Sequence, residues 1–238
     1  MNRLVLLILA IICVALPAMS QEPVDGFAAR VYNQGGVTLR YRLFIPPKYK
    51  KPKPYPLILW LHGAGGSGAD NLRQIQGDQV PGTHLWTTPD NVARHPAFIL
   101  VPQSEGRWSD VQIVLNVIDA LKTAFPIDPN RIYVLGQSIG GAAAWELVKS
   151  HPRTFAAAVF VSSAGTGPGS AKSISALPIW AFHGSNDPRI LEIQKMIEDI
   201  RGEGGHPRYT EYSGMGHDIW DRVFREPGLV GWLFAQHR

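Results

Sequence analysis

The apolar residues of this chain fall mostly into short, nearly unbroken runs separated by glycine, proline and polar residues. An early stretch, VTLRYRLFI at residues 37–45, alternates instead, which is typical of an antiparallel strand with one face in water. With residues 27–32 and a turn at Asn33–Gly36 it predicts a hairpin. Later runs that are apolar throughout predict parallel strands buried on both faces. These are PLILWLHG, AFILVPQ, RIYVLGQS, FAAAVFVSSAG and PIWAFHG, followed by a last strand near Tyr209 (YTEYSG).

Segments with helical spacing lie between the later strands. Residues 109–125 carry apolar side chains at three- and four-residue intervals, with Ser109 in a position to cap the N-terminus. Similar spacing predicts helices over 140–150, 188–200 and 217–236. A hairpin followed by alternating strands and helices predicts an α/β fold: a mostly parallel sheet of about eight strands with helices on both faces.

The first 20 residues have the pattern of a secretory signal peptide. Arg3 precedes an uncharged apolar run, Leu4–Leu16, and the small residues Ala18 and Ser20 stand at the −3 and −1 positions of a cleavage site. The alternative is a membrane anchor, but a helix that spans a bilayer needs about 20 apolar residues, more than this run supplies. We therefore expect residues 1–20 to be removed and the protein to be secreted or periplasmic without a stable membrane anchor.

We interpret residues 21–238 as a single catalytic domain. Their composition excludes several kinds of catalytic and binding site. Cys13 is the chain's one cysteine, so the exported part would have no disulfide, thiolate nucleophile or cysteine-ligated zinc. The net charge of the full chain is +4, or +3 without Arg3, and the basic residues are scattered rather than gathered on one helix, so we expect no nucleic-acid partner. No histidine–carboxylate spacing or nucleotide-binding loop predicts a metal or cofactor. The oligomeric state stays open.

The stretch GQSIGG, residues 136–141, contains the pattern G-x-S-x-G between a predicted strand and a predicted helix. In one large group of hydrolases this turn presents a nucleophilic serine, here Ser138, and the turn is so sharp that Gly136 and Gly140 must be small. Functional residues of open parallel sheets gather beyond the carboxyl ends of the strands, where Ser138 is expected. The alternative is an ordinary tight turn between strand and helix.

A serine nucleophile needs a base, and the base needs an acid that orients it. His217 lies in the glycine-flanked loop GMGHD after the last predicted strand, and Asp187 follows the strand PIWAFHG. We predict that His217 is the base and Asp187 the acid. Asp218 is a rival acid, although its place beside His217 suits it poorly, and Glu192, Glu198 and Asp199 are interpreted as the solvated face of a helix.

Two backbone N–H groups should stabilise the negative oxygen that forms during acyl transfer. One is expected from Ile139, the residue after the nucleophile. The other is expected from the glycine-rich loop LHGAGGSG at residues 61–68, with Ala64 as the first choice and Gly65 as the alternative. His62 in the same loop is interpreted as a hydrogen-bonding support of the loop, with a role as base as the alternative.

Four motifs together resemble the α/β-hydrolase esterases: LILWLHGAGGSGADN, RIYVLGQSIGGAAAW, PIWAFHGSNDP and YSGMGHDIWDRVF. The chain is similar to small secreted members of the feruloyl and acetyl-xylan esterase, polyhydroxybutyrate depolymerase and "predicted peptidase" types. The resemblance implies Ser138 as nucleophile, Asp187 as acid, His217 as base, and Ala64 and Ile139 as oxyanion donors. Some larger members add disulfides or a carbohydrate-binding module, and this chain has neither.

The expected activity is that of an exported serine carboxylesterase, acting on a small-molecule or polymer-linked ester. The alternatives are a serine peptidase with the same triad and a non-catalytic binding protein. The segment GTGPGSAKSISA is too short for a helical cap, so we expect an open site. Three tryptophans are candidates for its lining, Trp86 from the region 78–96, Trp108 and Trp220, with plain packing as the alternative for each.

Overall fold

The computed structural model describes residues 22–164 and 170–238, so the predicted signal peptide lies outside the described residues. The described strands form one eight-stranded sheet in the order β1-β2-β4-β3-β5-β6-β7-β8. The strands are β1 (Phe27–Gln34), β2 (Val37–Phe44), β3 (Tyr55–Leu61), β4 (Phe98–Gln103), β5 (Ile127–Gln137), β6 (Ala157–Val161), β7 (Ile179–Gly184) and β8 (Arg208–Tyr212). The predicted α/β class and strand number are confirmed.

The first two strands form the predicted hairpin. Gln34 pairs with Val37, so Gly35 and Gly36 alone make the turn, with φ of 61° and 79°. Two consecutive positive φ angles are the geometry of a tight hairpin turn and are accessible to glycine without steric cost. β2 pairs antiparallel with β4, and the pairs from β4 through β8 are parallel.

The described residues form eight α-helices, of which the first six lie between strands and the last two follow β8. They are α1 (Val80–His84), α2 (Pro89–Arg94), α3 (Gln112–Ala124), α4 (Ile139–Ser150), α5 (Ser170–Ile174), α6 (Ile190–Gly202), α7 (Trp220–Val223) and α8 (Leu229–Phe234). The sequence analysis did not predict α1, α2 or α5, which are only five or six residues long and lack a full amphipathic repeat.

Two predicted details of the helices are wrong. Ser109 does not cap α3, because the helix begins at Gln112 and the Gln112 N–H donates to Asp110 Oδ1 at 2.8 Å. The predicted helix over 217–236 is two short helices, α7 and α8. Between them Pro227 lacks an N–H donor and Gly228 has a φ of 84°, a conformation that ends helical geometry.

Apolar residues cover both faces of the sheet, which explains the unbroken apolar runs. One core layer lies against α3, α4 and α6, and the other against the C-terminal helices and Trp86. Every residue of β3 is buried. Within the described residues, no helix combines the length and apolar character that crossing a membrane requires.

The strand order places the loops that the sequence analysis singled out at one edge. From β3 the chain passes to β4 on one side and then to β5 on the other, so the order reverses at this point. Crevices that bind ligands in open α/β sheets lie beyond the carboxyl ends of the strands at such a reversal. The loops after β3, β5, β7 and β8 all leave from carboxyl ends at this edge of the sheet.

Candidate active site

Ser138 occupies the turn between β5 and α4 with φ 52° and ψ −119°. This conformation is unfavourable for a residue with a side chain and is found mainly where function requires it. Close packing makes the flanking glycines necessary: a Cβ on Gly136 would lie 2.4 Å from the carbonyl oxygen of Gly140, and one on Gly140 would lie 2.1 Å from that of Leu61. The turn therefore presses the start of α4 against the end of β3.

The structure brings Ser138, His217 and Asp187 together. The Oγ of Ser138 lies 2.9 Å from Nε2 of His217, and Nδ1 of His217 lies 2.5 Å from Oδ2 of Asp187. Both contacts are satisfied when the Ser138 hydroxyl donates to Nε2 and the Nδ1–H donates to the carboxylate, which assigns the tautomer of the imidazole. These two contacts match the ones that link nucleophile, base and acid in serine hydrolases.

Asp187 is almost fully buried, at 2% exposure. Burial raises the pKa of a carboxyl, but the hydrogen bonds to Asp187 outweigh burial and lower its pKa: the Arg189 N–H donates to Oδ1 at 2.8 Å, and His217 donates to Oδ2. The residue is therefore a carboxylate at neutral pH. Asp218, the rival acid, is exposed.

A second histidine adjoins the Asp187 carboxylate. His183 in β7 is fully buried, and its Nε2 lies 3.4 Å from Oδ2 of Asp187. Burial lowers the pKa of His183, and the neighbouring carboxylate opposes this effect only in part. His183 is therefore a neutral neighbour of Asp187, and the sequence analysis did not identify it.

The loop that carries His217 lies tightly over the end of β7. A Cβ on Gly184 would be 2.1 Å from the carbonyl oxygen of Gly216, so only glycine lets the loop approach this closely. The Asn186 N–H donates to the carbonyl of Met215 at 2.8 Å, which joins this loop to the one that carries Asp187. The Trp220 ring stands perpendicular to the imidazole of His217, with centroids 5.4 Å apart.

The two expected oxyanion donors lie at the starts of helical turns. Ile139 is the first residue of α4, and the first N–H groups of a helix have no partner inside it. Ala64 begins a 3₁₀ turn, Ala64–Gly66, directly after the end of β3. Gly65, the alternative donor, lies against Asp78: a Cβ there would be 2.5 Å from Oδ1. Ala64 stays the first choice and Gly65 the alternative.

His62 has the geometry of a support for this loop. It is fully buried, its Nδ1–H donates to the carbonyl of Gly63 at 2.7 Å, and its Nε2 accepts from the Ser104 N–H at 3.0 Å. Burial lowers the pKa of His62 to about 4, although the Gly63 bond opposes this shift. Since both ring nitrogens are engaged, neither is free to act as a base.

The three candidate tryptophans have different environments. Trp108 borders the cleft beside Ser138, and its indole N–H donates to the carbonyl of His62 at 3.3 Å. Trp220 contacts His217, as described above. Trp86 does not reach the cleft: it is 3% exposed, donates to the carbonyl of Gly82 at 2.7 Å and packs on Phe234. The expectation for Trp86 is therefore corrected to plain packing.

The cleft beside Ser138 is small and open, with a volume of about 250 Å³. The sequence analysis missed four polar residues that border it: Arg107, Glu146, Ser162 and Arg189. Ser162 could have been found by the same strand-end rule, because it follows the buried run of β6 directly. Among the described residues between β6 and β7, the one helix is α5, five residues long.

Comparison with known proteins supports the fold. A solved structure described as a thermostable esterase superposes with a TM-score of 0.84 at 30% identity, covering 90% of this chain and 64% of that one. The chain has the α/β-hydrolase fold. A ferulic acid esterase structure superposes with a TM-score of 0.69 at 14% identity, covering 87% of this chain and 98% of that one, which supports the fold alone.

Sequence comparison identifies esterases and one peptidase family. The chain is 29% identical over 179 residues to "Putative esterase NocK" of Nocardia uniformis, covering 67% of this chain and 48% of that protein. It is 27% identical over 193 residues to "Probable feruloyl esterase C" of Aspergillus niger, covering 77% and 68% respectively. Residues 106–165 match the Prolyl oligopeptidase family. The chain thus spans about half to two thirds of the length of these relatives.

Proposed function

We propose that this α/β-hydrolase is an exported serine carboxylesterase that uses Ser138, His217 and Asp187. The observation that carries the proposal is the 2.9 Å contact between Ser138 Oγ and His217 Nε2, at a strained turn in a chain similar to named esterases. The buried carboxylate of Asp187 completes the set that nucleophilic catalysis by serine needs.

The first half of the reaction transfers the acyl group to the enzyme. Ser138 Oγ attacks the ester carbonyl while His217 Nε2 accepts the hydroxyl proton, and Asp187 stabilises the resulting imidazolium. The tetrahedral intermediate then collapses, its bond to the alcohol oxygen breaks, and His217 returns the proton to the departing alcohol. In the second half, His217 accepts a proton from water, whose oxygen attacks the acyl carbon, and the acid leaves as Ser138 regains its proton.

Backbone N–H groups would stabilise the negative charge that forms on the carbonyl oxygen. Ile139 supplies the first N–H group of α4, where the helix dipole is positive, and Ala64 supplies the second. The buried His62 holds the Ala64 loop through its bond to the Gly63 carbonyl, and the Gly63 N–H donates to Gln79 Oε1 at 3.0 Å. The donors are held in place before the reaction, which avoids reorganisation during it.

An open cleft suits esters of accessible small molecules or polymers. Trp108 offers an apolar wall beside Ser138, and Ala142 from α4 also borders the cleft.

The decisive test is hydrolysis of p-nitrophenyl acetate by purified residues 21–238. We expect turnover by the wild type and a fall in kcat on the order of 10⁴-fold or more in Ser138→Ala. Ser150→Ala, an exposed serine at the end of the same helix, is the matched control and should keep wild-type activity. A fluorophosphonate probe should label the wild type and Ser150→Ala but not Ser138→Ala. Equal turnover by Ser138→Ala and the wild type would overturn the proposal.

The match of residues 106–165 to the Prolyl oligopeptidase family favours one alternative, a serine peptidase with the same triad. A panel of acetyl, feruloyl and longer-chain esters together with prolyl amides separates the two. Turnover of amides alone would replace the esterase by a peptidase. Absence of both turnover and probe labelling would favour the third alternative, a non-catalytic binding protein.

Export is proposed from the pattern of residues 1–20. Expression of the full chain in a Gram-negative host should place activity in the periplasm or medium, with Gln21 as the N-terminal residue of the mature protein. A chain without residues 2–20 is the control and should stay in the cytoplasm. Full-length protein in the membrane fraction would contradict cleavage.

A further inference from the structure

Ser162 repeats at the end of β6 the backbone arrangement that Ser138 has at the end of β5. Both have positive φ, 52° for Ser138 and 47° for Ser162. The Ser138 N–H donates to the carbonyl of Val161, and the Ser162 N–H donates to that of Phe182, each at 2.9 Å. Each serine thus bonds to the neighbouring strand just beyond the end of its own. A positive φ is unfavourable for a residue with a side chain, so the position of the Ser162 side chain calls for an explanation.

The Ser162 hydroxyl is directed at the main chain of His217. Its Oγ–H donates to the carbonyl oxygen of His217 at 2.7 Å, across 55 residues of sequence. Ser162 itself is only 2% exposed, whereas the His217 side chain is 42% exposed. The Ile219 N–H also donates to this carbonyl, at 3.1 Å, but it belongs to the same loop as His217. Ser162 therefore joins the carbonyl of His217 to the rigid sheet.

We propose that Ser162 is a positioning residue for the triad: it holds the backbone of His217 so that the imidazole reaches Ser138 and Asp187 at once. This inference rests on the proposed function for its kinetic consequence, but its structural content is independent of activity. Ser162 is not a second nucleophile, because its proton is donated to a carbonyl rather than to a base. A displacement of about 1 Å in a catalytic group can cost about 100-fold in rate, which makes such a bond consequential.

The kinetic test compares Ser162→Ala with Ser163→Ala. Ser163 is a matched control because it is the next residue, is 1% exposed, and has a hydroxyl without a partner among the described residues. We expect Ser162→Ala to lower kcat about 10- to 100-fold while KM for p-nitrophenyl acetate stays within about twofold. Ser163→Ala should stay within about twofold of the wild type in both constants. Equal kcat values in the two variants would overturn the proposal.

A third variant separates the effect of losing the Ser162 hydroxyl from the effect of backbone strain at residue 162. Glycine adopts a φ of 47° without strain, so Ser162→Gly relieves the backbone and still removes the hydroxyl. If the hydrogen bond to His217 matters, Ser162→Gly should lose as much kcat as Ser162→Ala. Wild-type kcat in Ser162→Gly would overturn the proposal.

The activity-independent readout is the proton on Nδ1 of His217. Its short bond to Asp187 should give a far-downfield resonance in the proton NMR spectrum, absent in His217→Ala. We expect this resonance to shift or broaden in Ser162→Ala and to be unchanged in Ser163→Ala. An unchanged resonance in Ser162→Ala, with a lower melting temperature and lower kcat, would reduce Ser162 to a fold-stabilising residue and overturn the proposal. If the wild type hydrolysed no ester, the proposed function would fail, while this comparison would still decide the role of Ser162.

Discussion

The imidazole of His217 meets Ser138 Oγ at 2.9 Å although 79 residues separate them in the chain. The contact arises because β5 and β8 both end at the same edge of the sheet, with β6 and β7 between them. Each partner is held by its own loop: Ser138 by a glycine-flanked turn and His217 by a loop lying on Gly184. The contact thus joins two loops that are far apart in the sequence, each of which is constrained by its own local packing.

Asp187→Asn should lower kcat for p-nitrophenyl acetate by about 10³- to 10⁴-fold near neutral pH, with little change in KM. The amide removes the negative charge that stabilises the imidazolium and favours the wrong tautomer of His217. Steady-state kinetics on the purified variant measure the effect. The control is Asp218→Asn, which alters the exposed neighbouring acid and should leave kcat unchanged. A larger loss in the control would identify Asp218 as the acid.

The stability of the protein should fall between pH 6.5 and pH 4 partly through His62. Burial depresses the pKa of His62 from 6.5 to about 4, so the unfolded chain binds a proton in this range that the folded protein excludes. Protonation therefore favours unfolding as the pH falls, by about 3 kcal/mol across the whole window. His62→Gln removes this titrating group, so the unfolding free energy of the variant should change less between pH 7.5 and 4.5 than that of the wild type.

Urea unfolding at both pH values measures this difference. His183 is also buried with a depressed pKa. The unfolding free energy of His62→Gln should therefore still fall as the pH falls, but by less than that of the wild type. His237→Gln alters an exposed histidine and serves as the control. Identical pH dependence in His62→Gln and the wild type would show that His62 is not excluded from protonation in the folded state.

Gly140→Ala should destabilise the protein by at least about 2 kcal/mol, because its Cβ would lie 2.1 Å from the carbonyl oxygen of Leu61 and neither backbone can move freely. Gly202→Ala is the matched control at the end of α6, where a Cβ meets no atom within 4 Å. It should be neutral or stabilise by up to about 1 kcal/mol. Thermal and urea denaturation compare the two variants. Equal stability would mean that the turn at Ser138 tolerates a side chain at Gly140.

Substitution of Trp108 should change KM, whereas substitution of Trp86 should change stability. Trp108→Ala removes an apolar wall of the cleft and should raise KM for aryl esters several-fold. Trp86→Phe leaves a cavity and removes the hydrogen bond to the Gly82 carbonyl, so it should lower stability by about 1–3 kcal/mol and leave KM unchanged. A rise in KM with Trp86→Phe would restore that residue to the substrate pocket.

The sequence alone determined the strands, the longer helices α3, α4 and α6, and the loops that bear the candidate site residues. Unbroken apolar runs predict strands buried on both faces, and small residues around Ser138 predict a turn too sharp for larger ones, so both signals are local. The same strand-end rule selected Asp187 and His217, which the structure joins. The prediction of helices failed where the local pattern competes with nearby breaks: Pro227 and Gly228 divide the C-terminal helix, and Asp110 rather than Ser109 bonds at the start of α3.

Only the tertiary structure decided which side chains meet. An apolar run shows that a strand is buried but not which strand lies beside it, so the contact of Ser162 with His217 could not be foreseen. Similarly, the residues around each tryptophan do not reveal that Trp86 faces the core while Trp108 faces the cleft. These outcomes depend on strand order, register and packing between distant segments. The sequence encodes them only through the free energy of the whole fold.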